Sequence, residues 1–174
     1  MRVAVTGTPG TGKTTAVETL VESGLLDDSL DVVHLNEVIE TEELTTGYDE
    51  KRDSAIVDFD AVEDWLTGRE DILFESHLAH QFGADRVVVC RCHPNELNSR
   101  LKTRGKAQAS VEENAESEAL DVVLTEAVDR HGSNSVYEVE TTDSSPESVA
   151  AEIAAVAAGD REPGVGTVSY IDYL

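Results

Sequence analysis

Lysine is nearly absent from this 174-residue sequence: Lys13, Lys51, Lys102 and Lys106 are its only lysines. Asp and Glu number 36 against 13 Lys plus Arg, a formal charge of −23. A surface this acidic repels polyanions, which argues against nonspecific binding to nucleic acid or to an anionic membrane. Few aromatics and few lysines among so many carboxylates point to adaptation to concentrated salt, where a Debye length of about 3 Å at 1 M relieves self-repulsion. Cysteine is scarce too. Cys90 and Cys92 alternate across a strand-like run, so their spacing builds neither a disulfide nor a zinc site. There is no long apolar run, and Met1-Arg2 leads straight into the first strand-like stretch; no membrane span or signal peptide is expected, and the protein is expected to be cytoplasmic. The acidic excess does not imply disorder, because 40% of the residues are hydrophobic and recur with pattern. One domain is expected.

What the sequence does have is Gly7-Thr8-Pro9-Gly10-Thr11-Gly12-Lys13-Thr14, directly after the apolar run Val3-Ala4-Val5. This matches G-x-x-x-x-G-K-[ST] in the context that gives the motif meaning, a strand before and an amphipathic helix after. The glycines let successive backbone N–H groups face one centre and cradle the α/β-phosphates of a nucleoside triphosphate. Gly10, Thr11, Gly12, Lys13, Thr14 and Thr15 are the ATP-binding candidates; Lys13 meets the β/γ-phosphates and Thr14 ligates Mg²⁺.

Along the chain, Arg2 to Thr6 reads as a buried strand and Lys13 to Glu22 as the helix that the loop caps. Val32 to Leu35 reads as a second strand, with Asn36 capping a helix to about Glu43. Thr45 to Asp53, polar and with Gly47 at a turn position, reads as a surface loop. Asp58 or Asp60 caps Ala61 to Leu66. The run Asp71 to His77 ends in a carboxylate and an imidazole, at the carboxyl end of a strand, where ligands of a doubly wound sheet bind. Glu75 is thus a candidate Mg²⁺ ligand through water, and His77 a candidate catalytic residue. His77 and His80 share the i, i+3 spacing of a metal pair but lack further suitably placed ligands. Asp85 to Cys92 is a strand and His93-Pro94 opens a helix that carries Arg100 and Arg104 at i, i+4, able to converge on one anion. Glu112 to about His131 reads as one long acidic helix, Ser135 to Val139 as a fifth strand, and Pro146 to Ala158 as the last helix. The tail Val168 to Leu174 is apolar enough to dock on the body or on a partner.

Five strands alternating with helices, the phosphate loop first, predict an α/β fold of P-loop nucleoside monophosphate kinase-like type, a five-stranded parallel sheet with helices on both faces. With Gly7 to Thr15, Gly47-Tyr48-Asp49-Glu50 with Asp53, Glu75-Ser76-His77 and Arg100-Leu101-Lys102-Thr103-Arg104-Gly105 in this order, the chain resembles the adenylate kinase isoenzyme 6 family, small archaeal and eukaryotic adenylate kinases also known as small-subunit ribosome assembly factors. The resemblance runs from Val3 to about Val156, and the acidic composition suggests a halophilic archaeon as source. It implies a kinase domain over residues 1–158 and a tail over 159–174, with 30–53 as the monophosphate-binding segment and 103–113 as a short lid. It implies that Arg104 contacts ATP and that Glu75 and His77 occupy the acidic-x-His position tied to hydrolysis and Mg²⁺ handling. Gly47, Tyr48 and Asp49 fall in the monophosphate segment. Some relatives carry Asp where this chain has Glu75, Arg where it has Glu40, and Tyr where it has Lys106. The anchor for the acceptor phosphate then falls to Lys51 or Arg52, with Arg52 favoured. The implied activity is Mg-ATP + AMP to 2 ADP, with ATPase activity, a ribosomal protein of the small-subunit platform as partner, and a role in rRNA maturation. The alternatives are an ATP-switched assembly factor with little kinase flux, or a kinase for another nucleoside monophosphate.

Overall fold

The structure, a computed structural model, describes residues 1–174. Its framework is a parallel sheet in the order β2-β5-β1-β6-β7, formed by Arg2–Thr6 (β1), Asp31–His34 (β2), Ile72–Glu75 (β5), Arg86–Arg91 (β6) and Val136–Glu140 (β7). The central strands are apolar on both faces, as a sheet covered on both sides requires. One face packs Val3, Val5, Leu73, Val88, Cys90 and Val139 under Lys13–Glu22 (α1) and Pro146–Ala158 (α7). The other packs Ala4, Phe74, Val87 and Val89 under Leu35–Thr41 (α2), Phe59–Leu66 (α3) and Val122–His131 (α6). Pro94–Thr103 (α4) and Gln108–Ala119 (α5) form a smaller cluster around Cys92, Leu97, Leu101, Val111 and Ala115.

β1 is flanked by β5 on one side and β6 on the other, so the chain reverses its winding around it. The crevice beyond the carboxyl ends of these strands is where open α/β sheets bind ligands. Register brings the residues there into line: Glu75 at the end of β5 sits beside Val5 of β1 and His34 of β2.

Four expectations need correction. The segment from Thr45 is no loop: Thr45–Asp49 (β3) pairs antiparallel with Ser54–Val57 (β4) in a two-stranded ribbon outside the main sheet. Only its turn carries the charged residues Glu50 to Asp53, and Asp53 takes positive φ there. The helix after β2 is capped by His34, with Asn36 already inside it and its Oδ1 accepting from Ser76 Oγ at 2.7 Å. The long acidic helix is two, broken at Leu120-Asp121, where Asp121 adopts φ 55°. Aspartate tolerates that conformation at modest cost, and the buried Arg91 supplies the reason: its Nη2 takes the carbonyl of Glu118 at 3.3 Å and the carboxylate of Asp121. Finally, Arg100 lines the same pocket as Arg104 but is already engaged by the protein and not free for an anion. Its guanidinium is bound to Glu96 at 2.9 Å and to the carbonyls of Thr141 and Thr142.

The residues after α7 run along the free edge of β7. Gly164 exchanges backbone hydrogen bonds with Val136 and Glu138. Tyr170 is 6% exposed, edge-on to His93 and donating to Glu140 at 2.9 Å. The tail docks on the body through Tyr170 and Tyr173, while Ile171 and Leu174 stay exposed.

Candidate active site

The loop between β1 and α1 is shaped by three glycines at positive φ, Gly7, Gly10 and Gly12. At two of them space as well as conformation demands glycine. A Cβ on Gly7 would lie 2.6 Å from the carbonyl of Cys90, and one on Gly10 would lie 3.0 Å from the Leu101 side chain. The loop is therefore pressed between β6 and α4, and any side chain at these points pushes it out of shape. Thr11 closes it, donating from N and Oγ1 to Thr8 O at 3.2 and 2.9 Å. Thr141 Oγ1, from the end of β7, donates to Thr11 O at 2.7 Å.

Lys13 opens α1 and is 6% exposed. Burial pulls its pKa below the usual lysine value; the nearby Arg104 acts the same way, and Glu75 and Glu118 oppose them. A buried ammonium held down in this way gains when an anion arrives. Thr14 Oγ1 donates to Glu75 Oε2 at 3.2 Å, and Glu75 Oε1 meets His34 Nδ1 at 2.9 Å. Register joins Glu75 and His34, and the first turn of α1 brings Thr14 to them. Of these His34 carries no motif signal; only the strand pairing reveals it. His77, just past β5, is half-buried, and desolvation, with Lys13 nearby, lowers its pKa to about 4. It is neutral at pH 7. His80 is spoken for on both ring nitrogens, Nδ1 with Thr6 Oγ1 and Nε2 with Glu126, each at 2.8 Å.

Beside the loop lies a pocket of about 220 Å³, lined by Thr11, Gly12, Thr15, Arg104, Thr141 and Pro146 among others. Thr141 and Pro146 belong to the β7-to-α7 connection, and nothing local in the sequence marks them as site residues. Arg104 is exposed at the end of α4, and Gly105 follows it at positive φ. On the ribbon, Tyr48 is 57% exposed and donates to Asp53, and Asp49 Oδ1 accepts from the backbone N–H of Lys51 and Arg52. Arg52 reaches across to Glu113 of α5 at 3.0 Å. Gly47 lies in β3, its Cβ direction facing Ile56. The structure thus brings Gly10 to Thr15 together with Glu75, His77 and Arg104 around one crevice, and leaves Gly47, Tyr48, Asp49 and Arg52 on the ribbon.

Comparison with known proteins agrees with this architecture. Residues 3–121 match the family described as AAA domain. A protein of Natronomonas pharaonis named "Putative adenylate kinase" is 58% identical over 174 residues, all of both chains. One of the same name from Halobacterium salinarum is 57% identical over 175 residues, again covering both chains fully. A Methanocaldococcus jannaschii protein of that name is 36% identical over 183 residues, with 100% of this chain and 97% of its own covered. Among solved structures, the shikimate kinase of Acinetobacter baumannii in complex with shikimate shares the fold, with a TM-score of 0.60 at 15% identity over 92% of this chain and 94% of that one. The shikimate kinase of Aquifex aeolicus gives 0.51 at 15% identity, covering 92% and 98%. The chain therefore belongs to the P-loop AAA-domain family and, within it, to the archaeal group whose members bear the name "Putative adenylate kinase".

Proposed function

We propose that this protein is an adenylate kinase, transferring the γ-phosphoryl of Mg-ATP to AMP to give two ADP. The observation that carries the reading is a formed phosphate loop with a buried, under-neutralised Lys13, joined in one crevice by Glu75, His77, Arg104 and an open pocket. The names borne by its archaeal relatives support it.

The chemistry asks mainly for alignment and for positive charge on the equatorial oxygens of a loose transition state. The loop N–H groups and Lys13 hold the donor phosphates, Arg104 approaches from the side, and the neighbouring pocket receives the nucleoside. Thr14 Oγ1 and the Glu75 carboxylate are the hard oxygen donors that Mg²⁺ takes, so the residues present fit that ion. Thr14 would hold it directly and Glu75 through water. When bound, the ion offsets phosphate charge. The ribbon of the 30–53 segment, with Gly47, Tyr48, Asp49 and Arg52, takes the monophosphate, and residues 103–113 form a short lid that limits water entry. Neutral His77 sits where it can orient a water, which accounts for an ATPase side activity.

The acidic surface also suits a basic partner, and a ribosomal protein of the small-subunit platform, its contact switched by ATP during rRNA maturation, is compatible with the same site. Copurification with small-subunit precursors supports that role; capture of no ribosomal protein at working salt removes it. The kinase reading is tested by a coupled assay in high KCl. ADP production should depend on AMP, Lys13→Ala should abolish it, and His77→Ala should remove AMP-independent hydrolysis while sparing transfer. AMP-independent ADP production of equal rate, or full activity of Lys13→Ala, overturns it.

A further inference from the structure

The phosphate loop is anchored at its crown by a group remote from the phosphates. Thr8 Oγ1 donates to Glu118 Oε2 at 2.5 Å, both residues being almost wholly buried. Glu118 lies in the last turn of α5. Its second oxygen, Oε1, accepts from Arg91 Nε at 2.8 Å and from Cys92 N at 3.1 Å. Arg91 in turn binds Glu138 Oε1 through Nη1 at 2.5 Å and Asp121 through Nη2, and Glu138 Oε2 accepts from Thr167 N and Oγ1 at 2.7 and 3.0 Å. One guanidinium thus faces three carboxylates.

We propose that Glu118 is a positioning residue for the phosphate loop, coupling the loop to α5 so that the two move as one piece. The proposal rests on the nucleotide reading above. Three features point to it. Burying several charges around one cation costs desolvation that an apolar contact between α5 and β6 avoids, so mere packing of the helix does not call for the cluster. The hydrogen bond to Thr8 is charge-assisted and dry, the kind that fixes geometry most firmly. And α5 begins just after the Arg104-Gly105 turn, with Glu113 on its first half meeting Arg52 of the ribbon, while Glu118 near its far end holds the loop. The helix therefore touches the ribbon midway along its length and the phosphate loop near its end.

Thr8→Val removes the donor hydroxyl at nearly constant shape and leaves Glu118 with Arg91 and Cys92. ATP titrated into this variant in high KCl should bind about tenfold more weakly, roughly 1.4 kcal/mol, and the melting temperature of the free protein should fall as well, because Glu118 Oε2 loses its one partner. Thr8→Ser, which restores the hydroxyl, should recover the affinity. A Thr8→Val affinity within twofold of wild type, whatever its melting temperature, overturns the proposal. Hydrogen exchange on the unmutated protein gives an arm independent of folding in the variant: ATP should add protection to residues 7–13 and 108–119 together, and protection of the loop without α5 contradicts it. A wild type that binds no ATP in either experiment fails the nucleotide reading itself; a wild type that binds ATP while Thr8→Val matches it fails only the coupling.

Discussion

The phosphate loop leans on β6, α4 and the end of β7, with Thr8, Thr11 and Lys13 buried and hydrogen bonds closing it from within and from behind. The β3–β4 ribbon has little of this support: Val57 packs against the core, but the exposed side chains pair with one another, as Tyr48 with Asp53, and with the surface residue Glu113. A donor phosphate must be met by many N–H groups in fixed positions, and fixed positions come from a close-packed core. An acceptor must enter and leave, and elements that move are drawn from the least buried parts of a fold. The contrast implies that changes on the loop side act on chemistry and stability, whereas changes on the ribbon act on acceptor affinity alone.

The largest effect expected is that of Lys13→Ala, a loss in kcat of about 10²–10³ or more in a coupled ADP assay, by analogy with removal of other preorganised transition-state donors. Because burial already disfavours the free ammonium, the melting temperature of the nucleotide-free variant should be equal to or above that of wild type. Next comes Arg91→Met, which leaves Glu118, Glu138 and Asp121 without their cation. Breaking a buried ion pair from one side typically costs about 3–5 kcal/mol, and denaturant unfolding should show a loss of that order. The ribbon should behave otherwise. Arg52→Ala breaks only an exposed ion pair, worth under about 1 kcal/mol, so stability should hold while the KM for AMP rises several-fold and kcat stays near wild type. An unchanged KM would move the acceptor anchor elsewhere and blur the contrast.

A last effect, set by pH and not by the contrast of loop and ribbon, is on stability. The folded pKa of His77 lies near 4 against an ordinary 6.5, so the unfolded chain binds the proton more readily. Its contribution is fully present above about pH 6.5 and is lost as pH falls toward 4. His77→Asn should flatten the stability profile in that window relative to wild type and leave it parallel above it.

How much of this was legible in the sequence follows the same contrast. β1, the loop and α1 were readable to the residue because motif, glycine placement and helical period agree there. Glu75 and His77 were legible as an apolar strand ending in polar groups. The ribbon reads as a loop in sequence because Ser54 to Val57 is too short and too mildly apolar to announce a strand on its own; pairing with Thr45 to Asp49 creates it. The break at Asp121 and the role of Glu118 were hidden because their cause, Arg91, lies some thirty residues away. Arg91 itself left a signal, a lone cation inside an otherwise apolar strand that must find buried carboxylates somewhere. His34 and Thr141 reach the site by strand register and by the return of the last connection, which only the folded sheet provides.

The central claim, that the crevice passes a phosphoryl group from one nucleotide to another, is tested most directly by following AMP labelled in its adenine ring. The protein, ATP, Mg²⁺ and labelled AMP are incubated in molar KCl, and the label is resolved by nucleotide. Labelled ADP should accumulate at the rate at which ATP disappears. Disappearance of ATP with all the label still in AMP would contradict the account and make the protein a hydrolase.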